Sequence, residues 1–322
     1  MPKPKVFFWE DYQHPLVRDL AWILTTPDLI TSPWPQKPLP DLLGWEKTSL
    51  QDWLQQLDQH PEALEAKIRQ LSRPRLGAYH EALWKFLLQT SPGVELLAHN
   101  LPIRHNKRTL GELDLVFADR QTHRLYHLEV AVKFYLGLPL GPGKATSASR
   151  WIGPGGMDSL AHKASHTLKH QLPLSDHPLA REALQAICPK ELQWTPQEPV
   201  EKYLALPGYL FYPWQEHLPS PQGSNLDHQQ GLWLYHHQLA DLLAELDPRS
   251  RGQRLQKPHW LATPSDEYLI PLQELEKQLQ QQIREEKQPL LLAIRQADQG
   301  WLRCFLVPDD WPHKIPLPPR DR

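Results

Sequence analysis

Two stretches decide how this chain folds: Thr109-Leu-Gly-Glu-Leu-Asp-Leu-Val-Phe117 and His127-Leu-Glu-Val-Ala-Val-Lys-Phe134. In the first, Leu113, Leu115 and Phe117 alternate with Glu112, Asp114 and Val116. In the second, Leu128, Val130, Val132 and Phe134 alternate with His127, Glu129, Ala131 and Lys133. Successive side chains of a strand point to opposite faces, so both stretches read as β-strands. The turn between them, Asp119-Arg-Gln-Thr-His-Arg124, has its midpoint between Gln121 and Thr122. A symmetric hairpin about that point sets Asp114 opposite Glu129, with Cβ atoms about 5 Å apart. Two carboxylates that close repel unless a proton or cation lies between them. A hard divalent ion such as Mg²⁺, or Mn²⁺ in its place, bound by one or two carboxylates plus water and substrate phosphate, meets that need.

Outward from the hairpin, Leu76–Leu88 has helical periodicity, with Leu76, Tyr79, Leu83, Phe86 and Leu87 on one face. Residues 94–103 and 109–117 read as strands, and the second strand of the hairpin extends from Leu125 to Tyr135. A glycine-rich loop over 141–156 leads to a helix over 157–172 and a proline-broken helical stretch over 174–195. Tyr203–Tyr212 follows as an apolar, aromatic strand. This helix–strand–strand–strand–helix–strand order predicts an α/β (α+β) domain, a mixed sheet flanked by helices. Before it, helical segments at 14–24, 49–57 and 61–71 are separated by Pro33, Pro35, Pro38 and Pro40. After it come a helix near 239–246, an amphipathic helix carrying Leu272, Leu275, Leu279 and Ile283, and a hairpin of 290–294 with 301–307. The expected organisation is a helical extension over 1–72 packed on a core over 73–214, then an α+β extension over 215–322.

Composition narrows the function. The chain has 322 residues, 40% hydrophobic and 22% charged, enough to bury a substantial core. A formal net charge of −2 excludes binding of nucleic acid by bulk charge. Two cysteines, Cys188 and Cys304, exclude a disulfide scaffold and an all-cysteine zinc module. The opening Met1-Pro-Lys-Pro-Lys-Val-Phe-Phe-Trp has too short an apolar run for a signal peptide. No stretch approaches the roughly 20 apolar residues of a membrane span. A cytoplasmic protein without membrane partners is expected. Charge is nevertheless uneven: residues 101–175 hold ten Lys/Arg against five Asp/Glu. An acidic pair in locally basic surroundings suits metal-assisted cleavage of a phosphodiester. Lys144, Arg150 and Trp151 on the glycine-rich loop are candidates to grip and stack on a nucleic-acid strand.

The helix, hairpin and acidic pair together resemble the PD-(D/E)XK nuclease superfamily, with its restriction-endonuclease-like core. That resemblance implies Mg²⁺ held by Asp114 and Glu129, with Glu81 on the preceding helix as an additional acid. Three segments are similar to the bacterial family called domain of unknown function 1853: Arg75-Leu-Gly-Ala-Tyr-His-Glu-Ala-Leu-Trp84, Thr109–Phe117 and His127–Leu136. Val17-Arg-Asp-Leu-Ala-Trp22 and Phe305-Leu-Val-Pro-Asp-Asp-Trp-Pro312 fit it too. The superfamily pattern places a lysine two residues after the second acid, where this chain has Ala131. Lys133, further along the same face, and Lys163 on the following helix are the candidates for its role.

Each candidate also has a plain reading. Asp114, Glu129 and Lys133 would suit a solvated strand face. Glu81 has Lys85 one helical turn away as an ion-pair partner. His162, His166 and His170 share a helical face but lack the glutamate of a metalloprotease motif. The leading expectation is an Mg²⁺-dependent nuclease-like protein acting on DNA or RNA. The alternative is a catalytically inactive module of the same fold that binds nucleic acid or a protein. A third is an interaction scaffold built on the flanking segments.

Overall fold

The computed structural model describes residues 9–319 except 39, 46, 72–74, 107, 286–287 and 298–299. The opening segment through Phe8 and the Asp298-Gln299 turn thus lie outside the described residues. In chain order the helices are α1 (Pro15–Thr25), α2 (Lys47–Gln59), α3 (Glu62–Arg69), α4 (Leu76–Thr90), α5 (Leu160–His166), α6 (Pro178–Ile187), α7 (Leu239–Glu245) and α8 (Leu272–Glu285). The strands are β1 (Val94–His105), β2 (Arg108–Asp119), β3 (Leu125–Val130), β4 (Lys133–Gly137), β5 (Trp151–Ile152) and β6 (Val200–Ala205). They continue with β7 (Gly208–Pro213), β8 (Gln229–Tyr235), β9 (Arg251–Leu255), β10 (Ile270–Pro271), β11 (Leu290–Gln296) and β12 (Gly300–Val307). Among the described residues no helix is long and apolar enough to cross a membrane.

The chain divides into two compact units, and their boundaries differ from the expected consecutive segments. One, the meander unit, comprises residues 31–132 and 164–206; the other comprises 1–30, 133–163 and 207–322. The meander unit holds a sheet of order β1-β2-β3-β6, antiparallel except for the parallel β3–β6 pair. Helix α4 packs on β1 and β3, and α6 packs on β1. Val116, Ala118, Leu125 and Val200 meet Ala180 and Leu184 of α6 in a buried cluster with Trp194. All six residues of β3 are buried, so both faces of this strand are covered. Each fully buried leucine or valine there contributes roughly 1.5–3 kcal/mol of apolar transfer free energy.

The other unit is built on an eight-stranded mixed sheet, β10-β9-β11-β12-β8-β7-β4-β5. Helices α7 and α8 pack on it through Leu242, Leu272, Leu275 and Leu279 against Leu290, Leu292 and Ile294. The β11–β12 hairpin forms as expected, from Leu290↔Leu306 to Gln296↔Gly300.

Two expected strands are each divided. The stretch 125–135 breaks at Ala131-Val132 into β3 and β4, and 203–212 breaks at Leu206-Pro207 into β6 and β7. Alternation continues through the first break and the apolar run through the second, so sequence pattern alone cannot reveal that the chain changes sheets. The backbone pairing does: Ala131 N–H donates to Ala205 O at 2.9 Å, Lys133 N–H to Pro207 O at 3.2 Å, and β4 then pairs with β7. Gly208 permits that approach, since a Cβ there would stand 1.8 Å from the Lys133 carbonyl oxygen.

Candidate functional site

The β2–β3 hairpin has the register that its turn predicts. Leu115 pairs with Leu128 and Val116 with His127, so Asp114 and Glu129 face each other at the next position. There the ladder ends, because Asp114 Oδ2 accepts the Val130 N–H at 3.0 Å. On the other side of β2, His99 pairs with Leu115 and Leu101 with Leu113, which sets Asn100 opposite Asp114. Asn100, Asp114 and Glu129 therefore form a row across three strands. Asn100 has φ 49° within β1, a left-handed conformation that asparagine tolerates better than most residues.

Burial separates the members of this row. Asp114 is half-buried, whereas Glu129 is 0% exposed, which rules out the solvated-face reading for Glu129. A carboxylate so deep requires donors or opposite charge. Gln171 Nε2 donates to Glu129 Oε1, and the Gln171 amide oxygen accepts from Thr167 Oγ1 at 2.9 Å. Both residues lie in a π-helical turn, Thr167–Gln171, directly after α5. The expected helix over 157–172 is therefore α5 followed by this wider turn, a feature frequent at functional sites. Its extra width brings the Gln171 amide to Glu129.

His127, one residue pair further along β3, lies with Nε2 3.8 Å from Glu129 Oε2. Burial, helped by the Lys202 charge, pushes its pKa down to about 3, so the ring is neutral and supplies no countercharge. His80 on α4 is likewise held at about 3 by burial and Lys37, and its Nε2 accepts from Trp84 Nε1 at 3.2 Å.

Glu81 accepts from Asn100 Nδ2 at 2.6 Å. Burial raises its pKa above the ordinary carboxylate value; Asn100 opposes the rise, while the charges of Asp114 and Glu112 add to it. The structure thus brings Glu81, Glu112 and Asp114 into mutual electrostatic range. The expected partner of Glu81, Lys85, has its ammonium against His99 Nε2 and only partly offsets that repulsion.

The basic candidates lie elsewhere. Lys133 is not on the strand of Glu129: it opens β4 in the eight-stranded unit, where its Nζ meets Asp158 Oδ2 at 2.6 Å. Tyr135 OH donates to the same oxygen at 3.0 Å. Lys163 lies on α5, at the end of a segment of that same unit. Trp151 cannot stack on a strand of nucleic acid, since it is fully buried and packs edge-on against Tyr212 at 4.8 Å. Arg150 braces the glycine-rich loop, donating to Pro139 O at 2.5 Å and Gly143 O at 2.8 Å. Lys144 is exposed on that loop. His166 and His170 are exposed in the meander unit, with ring centroids 5.6 Å apart.

Among the described residues no three of His, Cys, Asp and Glu converge into a group able to hold a metal ion. The Asp114–Glu129 pair offers two hard carboxylates, the protein share that Mg²⁺ accepts while keeping several waters. Sequence reasoning missed Asn100, Glu112, His127 and Gln171. Register counting about the first hairpin would set His99 opposite Asp114; a bulge between Ile103 and Arg104 shifts the register by one and puts Asn100 there. Nothing local marks Gln171, whose position depends on the π turn.

A family model described as "Domain of unknown function (DUF1853)" matches residues 18–307. The chain belongs to the DUF1853 family. No curated protein and no solved structure matches it. The DUF1853 match takes in the carboxylate row, most of α1 and all twelve strands.

Proposed function

We propose that the meander unit of this DUF1853 protein is a PD-(D/E)XK-type domain that cleaves nucleic-acid phosphodiesters with Mg²⁺ or Mn²⁺. The observation carrying this reading is Asp114 opposite Glu129 at the end of a hairpin, with Glu81 from the preceding helix electrostatically coupled to Asp114. The element order is consistent with it: α4, the β1-β2-β3 meander, α6 and a strand parallel to β3 follow one another in the chain. A divalent ion would polarise the phosphate and activate water. Asp114 and Glu129 would supply its protein oxygens, and Gln171 would hold the Glu129 carboxylate in orientation. Glu81, with its raised pKa, is suited to hold or pass a proton. Lys133 is not assigned the stabilising of charge on the phosphate, since its ammonium is committed to Asp158.

The second reading, an inactive module that binds nucleic acid, is favoured by Ala131 in the lysine position and by the Lys133–Asp158 pair. Calorimetric titration of Mg²⁺ and Mn²⁺ into wild type and Asp114→Asn, followed by incubation with single- and double-stranded DNA and RNA, separates the two. Metal binding and cleavage in wild type, both lost in the variant, supports the nuclease. Nucleic-acid binding without metal uptake or cleavage supports the inactive module.

A further inference from the structure

The meander unit carries a second group of metal-ligating side chains, outside the carboxylate row and independent of the nuclease reading. His166 ends α5, and His170 lies in the π-helical turn Thr167–Gln171 that follows. Residues four apart along a helix are neighbours on one face. Here the two imidazole rings do meet, with centroids 5.6 Å apart and planes inclined at 41°. Both residues are exposed, and among the described residues no hydrogen bond or ion pair engages either ring. Thr167 between them turns the other way: it is fully buried, and its hydroxyl donates to the Gln171 amide oxygen at 2.9 Å. That bond anchors the backbone between the histidines, so bringing both rings onto one ligand needs only side-chain rotation.

The donor set selects the ligand. Two imidazoles bound to one ion through nitrogens at about 2.1 Å have centroids about 5 Å apart. The observed spacing lies close to that value. Imidazole nitrogen suits Zn²⁺, Ni²⁺ and Cu²⁺, whereas Mg²⁺ and Ca²⁺ take oxygen. The pair therefore differs in preference from the two hard carboxylates of the hairpin. Two protein nitrogens fill half of a tetrahedral shell, and water completes it at an exposed position. The next residue gives such a site a structural consequence. Gln171 follows His170 directly and donates to Glu129 Oε1. An ion shared by His166 and His170 braces the turn that carries this amide.

We propose that His166 and His170 together bind a divalent transition-metal ion of the Zn²⁺, Ni²⁺ and Cu²⁺ class and thereby brace the π-helical turn. Calorimetric titration of Ni²⁺ into the intact protein at neutral pH, with excess Mg²⁺ present to occupy hard oxygen sites, tests this. A saturable event with Kd tighter than about 100 μM is expected. His166→Asn and His170→Asn should each weaken that event at least about tenfold, with unchanged far-ultraviolet circular dichroism. Both histidines are exposed, so neither substitution opens the core. Asp114→Asn should leave the event intact, which separates this site from the carboxylate row. Hydrogen exchange should show amides of 167–171 protected by Ni²⁺ in wild type and not in the histidine variants. The proposal is overturned if no event of that affinity occurs, or if either histidine variant binds like wild type. It is equally overturned if Asp114→Asn abolishes the event, or if Ni²⁺ leaves exchange over 167–171 unchanged.

Discussion

Asp19 and Glu129 are both buried carboxylates, yet they are set in place by different means. Asp19 is met by a main-chain N–H and an imidazole from a segment at least 240 residues away, which makes it a clamp between distant parts of one unit. Glu129 is met by the side-chain amide of Gln171, stands beside a neutral histidine, and faces Asp114 across the hairpin. A carboxylate satisfied by main chain is locked with the fold. A carboxylate held by a movable amide beside another acid retains chemistry that a cation or substrate can use.

The sharpest way to break this comparison is to remove charge from each site. Asp114→Asn should lower metal-dependent cleavage by about 10²–10³-fold, measured as initial rate at saturating Mg²⁺. Its denaturant midpoint should change little. Asp19→Ala should do the reverse, costing about 3 kcal/mol in chemical denaturation while leaving cleavage per folded molecule intact. If both variants lose only stability, Asp114 is a clamp too.

Acid should act first on the meander unit. His80 and His127 have folded pKa values of about 3 against an ordinary 6.5. Between those values the unfolded chain binds the extra protons, so stability falls as pH drops below about 6.5. Each histidine contributes about 1.4 kcal/mol per pH unit to that slope. Urea titrations from pH 7.5 to 5 should therefore give a flatter profile for His127→Gln than for wild type.

The smallest effect sharpens the electrostatic picture. The Glu81 pKa is raised, so its favourable contribution exists below the unfolded value and is lost as pH rises through the folded one. At pH 7 in EDTA its charge opposes folding, and Glu81→Gln should raise the melting temperature by about 1–2 °C. That gain should vanish below about pH 4.5, the ordinary glutamate value. Adding Mg²⁺ should reverse the ranking if the ion binds beside Asp114, because wild type then gains a cation to neutralise its acids.

Much of the fold was legible in short-range pattern. Helices α1 to α4 and both long hairpins follow from periodicity, and the Asp114–Glu129 pairing follows from counting outward from the turn. Side-chain alternation and turn symmetry are local, so they survive in the sequence. What depends on contacts between distant residues is not written there. The parallel β3–β6 and β4–β7 pairings divide two apparently continuous strands, and with them Lys133, expected further along the face of Glu129, passes into another sheet. Full burial of Glu129 requires α6 and the π turn to close over the sheet, which no stretch of β3 encodes. The Arg18-Asp19 pair looks like an ordinary polar interruption of an apolar helix until residues 259–264 arrive to receive it. The sequence by itself determined the elements and the opposed acids, because those depend on neighbours along the chain. Tertiary structure alone decided which charges are buried and what partners them, because burial depends on segments far apart in sequence.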